Sequence, residues 1–130
     1  MQADELRAKR IRSLLRNLAV ANGDIESSAV ISSDGLVIAT VLHAGVDADR
    51  FGAMCASLLA LAERAAGEVG RGKLKQTLVE GEAGSMLLVQ AGTDTVLALA
   101  ARTTQNLGRV FLDARRAAAE IATLMAGNAA

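Results

Sequence analysis

Twelve consecutive residues, Phe51 to Ala62, carry no charged side chain, and they lie inside a stretch with helical periodicity. An uncharged helix has to be covered around most of its circumference. A membrane could do the covering only for ~20 such residues, so the cover here must be protein. The helix is expected over Ala48–Val69, with Asp47 or Asp49 as its N-cap. Phe51, Cys55, Leu58, Ala62, Ala65 and Val69 recur at four-three spacing and form one apolar stripe, widened by Met54, Leu59 and Leu61. The far side holds Ala53, Ala56, Ser57 and Ala60, all small, which lets a second helix come close. The first face is expected to pack on a sheet and the second on another subunit.

A chain of 130 residues suits one domain, 1–130, with one core. Hydrophobic residues make up 52% of it, yet Phe51 and Phe111 are its only aromatics. Small aliphatic side chains bury little area each, which favours stabilisation by a second copy or a partner. The 14 basic and 14 acidic residues cancel, so no global charge draws the chain to nucleic acid and little self-repulsion opposes association. Charges run through the first helix, so neither a signal peptide nor membrane insertion is expected. Cys55, the single cysteine, has no disulfide partner within the chain, and a cytoplasmic setting is expected.

Around the central helix the periodicity changes twice. Residues 3–20 form an amphipathic helix with Ile11, Leu14, Leu15 and Leu18 on one face and a basic stripe of Lys9, Arg12 and Arg16 on the other. Asn22-Gly23 is expected to end it through a left-handed glycine. Strands at Ser28–Ser32 and Leu36–Val41 flank Ser33-Asp34-Gly35, a hairpin signal expected to place both central turn residues at positive φ. Strands at Lys73–Glu80, Ser85–Ala91 and Thr95–Ala101 then form an antiparallel meander, the first polar enough for a sheet edge. A last amphipathic helix runs over Leu107–Met125, with Leu107, Phe111, Ala114, Ala118, Ile121 and Met125 inward.

Catalysis has little to work with. The chain has one histidine, one cysteine, no tyrosine and no tryptophan, and no Cys/His cluster at metal-ligand spacing. His43 lies in a polar loop, and Asp34 is accounted for by its turn. Gly67-Glu68-Val69-Gly70-Arg71-Gly72-Lys73 satisfies the start of a phosphate-binding loop, but Leu74 stands where the Mg²⁺-holding hydroxyl belongs. Here too a helix precedes and a strand follows, the reverse of what phosphate binding at a helix N-terminus needs. The segment reads as a helix stop. No catalytic residue, metal or cofactor is expected.

The order helix–strand–strand–helix–strand–strand–strand–helix resembles the Roadblock (dynein light chain) family over nearly the whole chain. The residues that carry the resemblance are Ala29-Val30-Ile31-Ser32-Ser33-Asp34-Gly35-Leu36-Val37-Ile38-Ala39, the Leu/Ala-rich helix after them, Leu78-Val79-Glu80-Gly81, Leu87-Leu88-Val89, and Val96-Leu97-Ala98-Leu99-Ala100. The resemblance implies a profilin-like α+β fold: a five-stranded antiparallel sheet, the middle helix on one face and the terminal helices on the other. It also implies a homodimer in which middle helices pair and third strands meet edge to edge. The interface is expected at Ala53, Met54, Ala56, Ser57, Ala60, Leu61 and Arg64 of the helix, with Lys75 and Thr77 of the strand.

Bacterial members of the MglB type, which this chain looks like, are dimers that stimulate GTP hydrolysis by remodelling a Ras-like GTPase's own switch residues, with no arginine finger. The implied function is a homodimer that binds and regulates a Ras-like small GTPase, in a GTPase-activating or adaptor role. The alternative is a scaffold joining motor or signalling proteins without touching a GTPase. MglB-type proteins also carry a C-terminal extension that contacts the GTPase. These residues end about where the last helix does, so no such extension is expected among them.

Overall fold

The computed structural model describes residues 3–127. Eight elements follow one another: α1 (Ala3–Ala21), β1 (Ile25–Ser32), β2 (Val37–Val41), α2 (Ala48–Glu68), β3 (Gln76–Gly81), β4 (Gly84–Gln90), β5 (Thr95–Arg102) and α3 (Leu107–Met125). The strands form one antiparallel sheet in the order β2-β1-β5-β4-β3, so β2 and β3 are its edges.

Side chains alternate across each strand, and both sides of this sheet are apolar. On one side Val30, Leu87, Val89, Leu97 and Leu99 pack with Ile11, Leu15 and Leu18 of α1 and Val110, Ala114 and Ile121 of α3. On the other, Ala29, Ile31, Leu88, Val96 and Ala98 pack with Cys55 and Leu59 of α2. The central helix therefore lies alone on one face and the terminal helices share the opposite one. β5, near-continuously apolar in sequence, is buried on both faces as expected of a central strand.

Local chemistry explains the element ends, in places differently from the sequence reading. Asp47 caps α2, its Oδ1 accepting the Arg50 N–H at 3.1 Å. The α1 stop is not a left-handed glycine, because Gly23 does not have positive φ. Asn22 instead turns inward, its Nδ2 donating to Asp113 Oδ2 at 2.8 Å and its Oδ1 accepting the Asp24 N–H at 3.0 Å. One side chain thus ends α1 and ties it to α3. At the first hairpin only Gly35 has positive φ, at 90°. The Gly35 N–H donates to the Ser32 carbonyl at 2.9 Å, so Ser33 and Asp34 form an ordinary turn followed by a left-handed glycine, the three-residue loop rather than the two-residue one.

Candidate partner interface

How α2 sits on the sheet decides which side chains it offers. Gly52, Cys55 and Leu59 are buried, with Phe51, Ala56, Leu58, Ala62 and Ala66 half-buried beside them. Ala65 is exposed and Val69 is 63% exposed, so these two do not belong to the sheet-facing stripe expected from the spacing. The helix is rolled toward Gly52. The cause is the first hairpin: a Cβ on Gly52 would meet the Gly35 carbonyl oxygen at 2.7 Å, and one on Gly35 would meet the Ala56 Cβ at 3.4 Å. Two glycines let the turn rest on the helix, and the roll follows.

The same roll sets the outer face. Met54 (56% exposed) and Leu61 (64% exposed) stand in solvent with Ala53, Ser57, Ala60 and Arg64. Ala56, expected among them, turns instead toward Gly35 and is half-buried. Charge appears on this face only at its ends, at Arg50 and at Arg64 and Glu68. The middle of the face is therefore uncharged, largely apolar, exposed, and without cover among the described residues.

β3 borders the same side of the molecule. It pairs only with β4, so half of its backbone N–H and C=O groups face outward. Thr77 and Val79 lie opposite Leu88 and Met86, on the α2 side. Val79 is 40% exposed, and the Thr77 hydroxyl is sheltered from solvent with no hydrogen-bond partner among the described residues. Lys75 stands exposed just before the strand, which begins at Gln76 rather than at Lys73. Val79 was missed as a surface residue; its signal was the two-residue alternation that places it beside Thr77.

Between the C-terminal end of α2 and the sheet lies an open cleft of about 900 Å³ lined by Glu63, Gly67, Gly70, Gly72, Lys73, Gln90 and Thr93 among others. Its glycine-rich wall is the run that mimics a phosphate loop, and the geometry there is a helix stop. Gly70, at φ 70°, donates to the Gly67 carbonyl at 3.0 Å, and the Arg71 N–H donates to the Ala66 carbonyl at 2.7 Å. These two bonds are the Schellman pattern, and they mark the carbonyl end of the helix, the end that repels anions. Under the same helix Cys55 is buried, which pushes its thiol up to about 11 and leaves it unreactive near neutrality. His43 is exposed in its loop. No group of three metal-ligating side chains comes together among the described residues, and no described helix is long and apolar enough to cross a membrane.

A profile of the Roadblock/LC7 domain matches residues 13–101. An uncharacterized protein of Methanocaldococcus jannaschii is 43% identical over 97 residues, which cover 75% of this chain and 84% of that protein. Among solved structures, Myxococcus xanthus MglB superposes with a TM-score of 0.82 at 18% identity, covering 89% of this chain and 94% of that one. A Roadblock/LC7 domain from Streptomyces avermitilis gives 0.81 at 22%, covering 88% and 96%. The likeness reaches, more distantly, Acanthamoeba castellanii profilin II, with a TM-score of 0.50 at 17% identity over 83% of this chain and 90% of that one; the fold is profilin-like.

Proposed function

Because this chain belongs to the Roadblock/LC7 family, we propose that it works as a homodimer that binds and regulates a Ras-like small GTPase, supplying no catalytic group of its own. The observation that carries the reading is the apolar outer face of α2 lying beside an open β3 edge on one side of the molecule. A helix face of this kind is stabilised by a like face, and an open edge by an antiparallel copy of itself. Ala53, Met54, Ser57, Ala60, Leu61 and Arg64 would line the helix pair, with Ala56 at its margin and Lys75 and Thr77 at the strand pair. A neighbouring strand would also bring backbone groups close to the unpartnered Thr77 hydroxyl. One solved structure of this fold, 23% identical, is described as MglB with a tetrameric arrangement, which favours self-association in this reading. Cytoplasmic location is part of the same reading, supported by Cys55 remaining a free, buried thiol.

Regulation then proceeds by binding one conformation of the GTPase better than the other. The gain in hydrolysis should fall short of the ~10³–10⁵-fold that an inserted arginine provides. The test is a pull-down with a Ras-like GTPase loaded with GDP or a non-hydrolysable GTP analogue, together with single-turnover hydrolysis. State-dependent binding with faster hydrolysis is expected of the parent, and loss of both of Ala60→Glu, which should also run as a folded monomer. Binding indifferent to nucleotide would instead favour the scaffold role.

A further inference from the structure

Zero net charge conceals an uneven distribution of charge among the elements. Eight of the fourteen basic residues lie on α1 and α3, but only four of the fourteen acidic ones. That layer therefore carries an excess of four positive charges, and α2, the strands and the loops carry the balancing four negative. Within the layer Arg7 pairs with Asp4 and Arg109 with Asp113. Lys9, Arg10, Arg12, Arg16, Arg115 and Arg116 form no ion pair among the described residues.

The cations share their surface with exposed aliphatic side chains. Ile11, Leu15 and Leu18 define the buried stripe of α1. On the opposite side of that helix stand Lys9 and Val20 (87% exposed), while Leu6 (43% exposed) and Arg10 line the groove toward α3 beside Leu124. On α3, Leu112 (41% exposed) and Arg116 lie opposite the buried Ala114 and Ile121 in the same way. A nineteen-residue helix is ~28 Å long, so the two helices present a broad surface of cations with apolar tips among them.

We propose that the α1/α3 layer docks on the surface of an anionic lipid bilayer. Charge complementarity supplies the attraction, because clustered Lys and Arg on a helix face are drawn to anionic headgroups, while Leu6, Val20 and Leu112 reach the boundary below the headgroups. The acidic excess does not cancel this. It is spread over α2, the strands and the loops, and Asp24 and Glu26, its members next to the end of α1 in the chain, each face Arg102 at 3.9 Å. An acidic protein surface fits less well, since Lys9, Arg12, Arg16 and Arg115 are spread along both helices, and the groove that Arg10 shares with Arg116 also holds Asp113 and Glu120. The inference goes beyond the GTPase reading and stands on a single chain. Pairing through β3 would place two basic layers on one side of a continuous sheet and raise the avidity.

The experiment is co-flotation of the full chain with vesicles of phosphatidylcholine alone and of equimolar phosphatidylcholine and phosphatidylglycerol. Binding is expected only to the anionic vesicles, and should disappear at ~1 M salt, where the Debye length shrinks to about 3 Å. Lys9→Glu/Arg16→Glu should weaken binding at least about thirtyfold. Arg10→Glu/Arg116→Glu, drawing on both helices, should do the same. Arg71→Glu/Lys73→Glu changes net charge equally on the loop after α2 and should leave binding within about threefold of the parent. Flotation with neither vesicle, equal loss in all three double variants, or binding to poly-glutamate without binding to vesicles would each overturn the proposal. Solution mass measured on the same samples separates it from the dimer reading: a monomer that still floats with anionic vesicles upholds the docking surface and removes the dimer.

Discussion

Cys55 lies between α2 and the sheet with 1% of its surface exposed, and burial pushes its thiol from the ordinary 9.0 up to about 11. Between those two values the unfolded chain has released the proton that the folded chain still holds. The unfolded state then binds fewer protons, so stability falls as pH rises through that window, while below pH 9.0 the contribution is full and constant. Other groups titrate at high pH as well, which makes a difference measurement necessary. Urea unfolding of the parent and of Cys55→Ala across pH 8 to 11 should show the parent's advantage shrinking above pH 9.0. An advantage that stays constant with pH would mean that Cys55 is not held protonated by its surroundings. The residue's worth is as a small hydrophobe that fills the space under a helix.

Gly52 and Gly67 occupy the same helix and should respond oppositely to alanine, because only one of them touches another element. A Cβ on Gly52 meets the Gly35 carbonyl at 2.7 Å and the Val37 side chain at 3.1 Å, whereas one on Gly67 meets nothing within 4 Å. Gly52→Ala gains ~1 kcal/mol of helix propensity but must push the first hairpin off α2, which costs about 1–3 kcal/mol. A net loss of stability is expected. Gly67→Ala keeps the gain without that cost and should stabilise by up to ~1 kcal/mol. Denaturant midpoints that move in the same direction for both would remove the hairpin as the cause of the roll. This contact also marks the limit of what the sequence makes legible. Element order, hairpins, the α2 cap and the two-sided burial of β5 follow from periodicity and turn residues, which act locally. The rotation of α2 about its axis depends on a turn meeting a helix across the sheet, so Ala65 and Val69 were misplaced and Ala56 was assigned wholly to the outer face. The inward turn of Asn22 onto Asp113 was hidden for the same reason, since its partner lies far along the chain.

At the scale of the molecule, charge is unevenly placed, with an excess of four positive charges on α1 and α3. The net count of zero hides the basic α1/α3 layer, because which face a helix takes is a property of the fold and not of composition. Met54, Leu61 and Val79, exposed on the opposite side, are a cost to a lone chain that association would relieve. If the homodimer forms, folding and association are linked, and mass action makes the thermal midpoint depend on protein concentration. Each tenfold increase is worth ~1.4 kcal/mol per dimer, which for two chains of 130 residues should raise Tm by about 3 °C. Scanning calorimetry over two decades of concentration should show that rise in the parent. Ala60→Glu should abolish it while keeping the helix content of the fold, because residue 60 lies on the exposed side of α2. A parent midpoint indifferent to concentration would mean that the chain is already a monomer where it unfolds, and solution mass on dilution shows whether it is a monomer throughout. A monomer by mass with a flat midpoint would leave the outer face of α2 to a different partner, since an exposed apolar helix face beside an open strand edge still has to be covered by something.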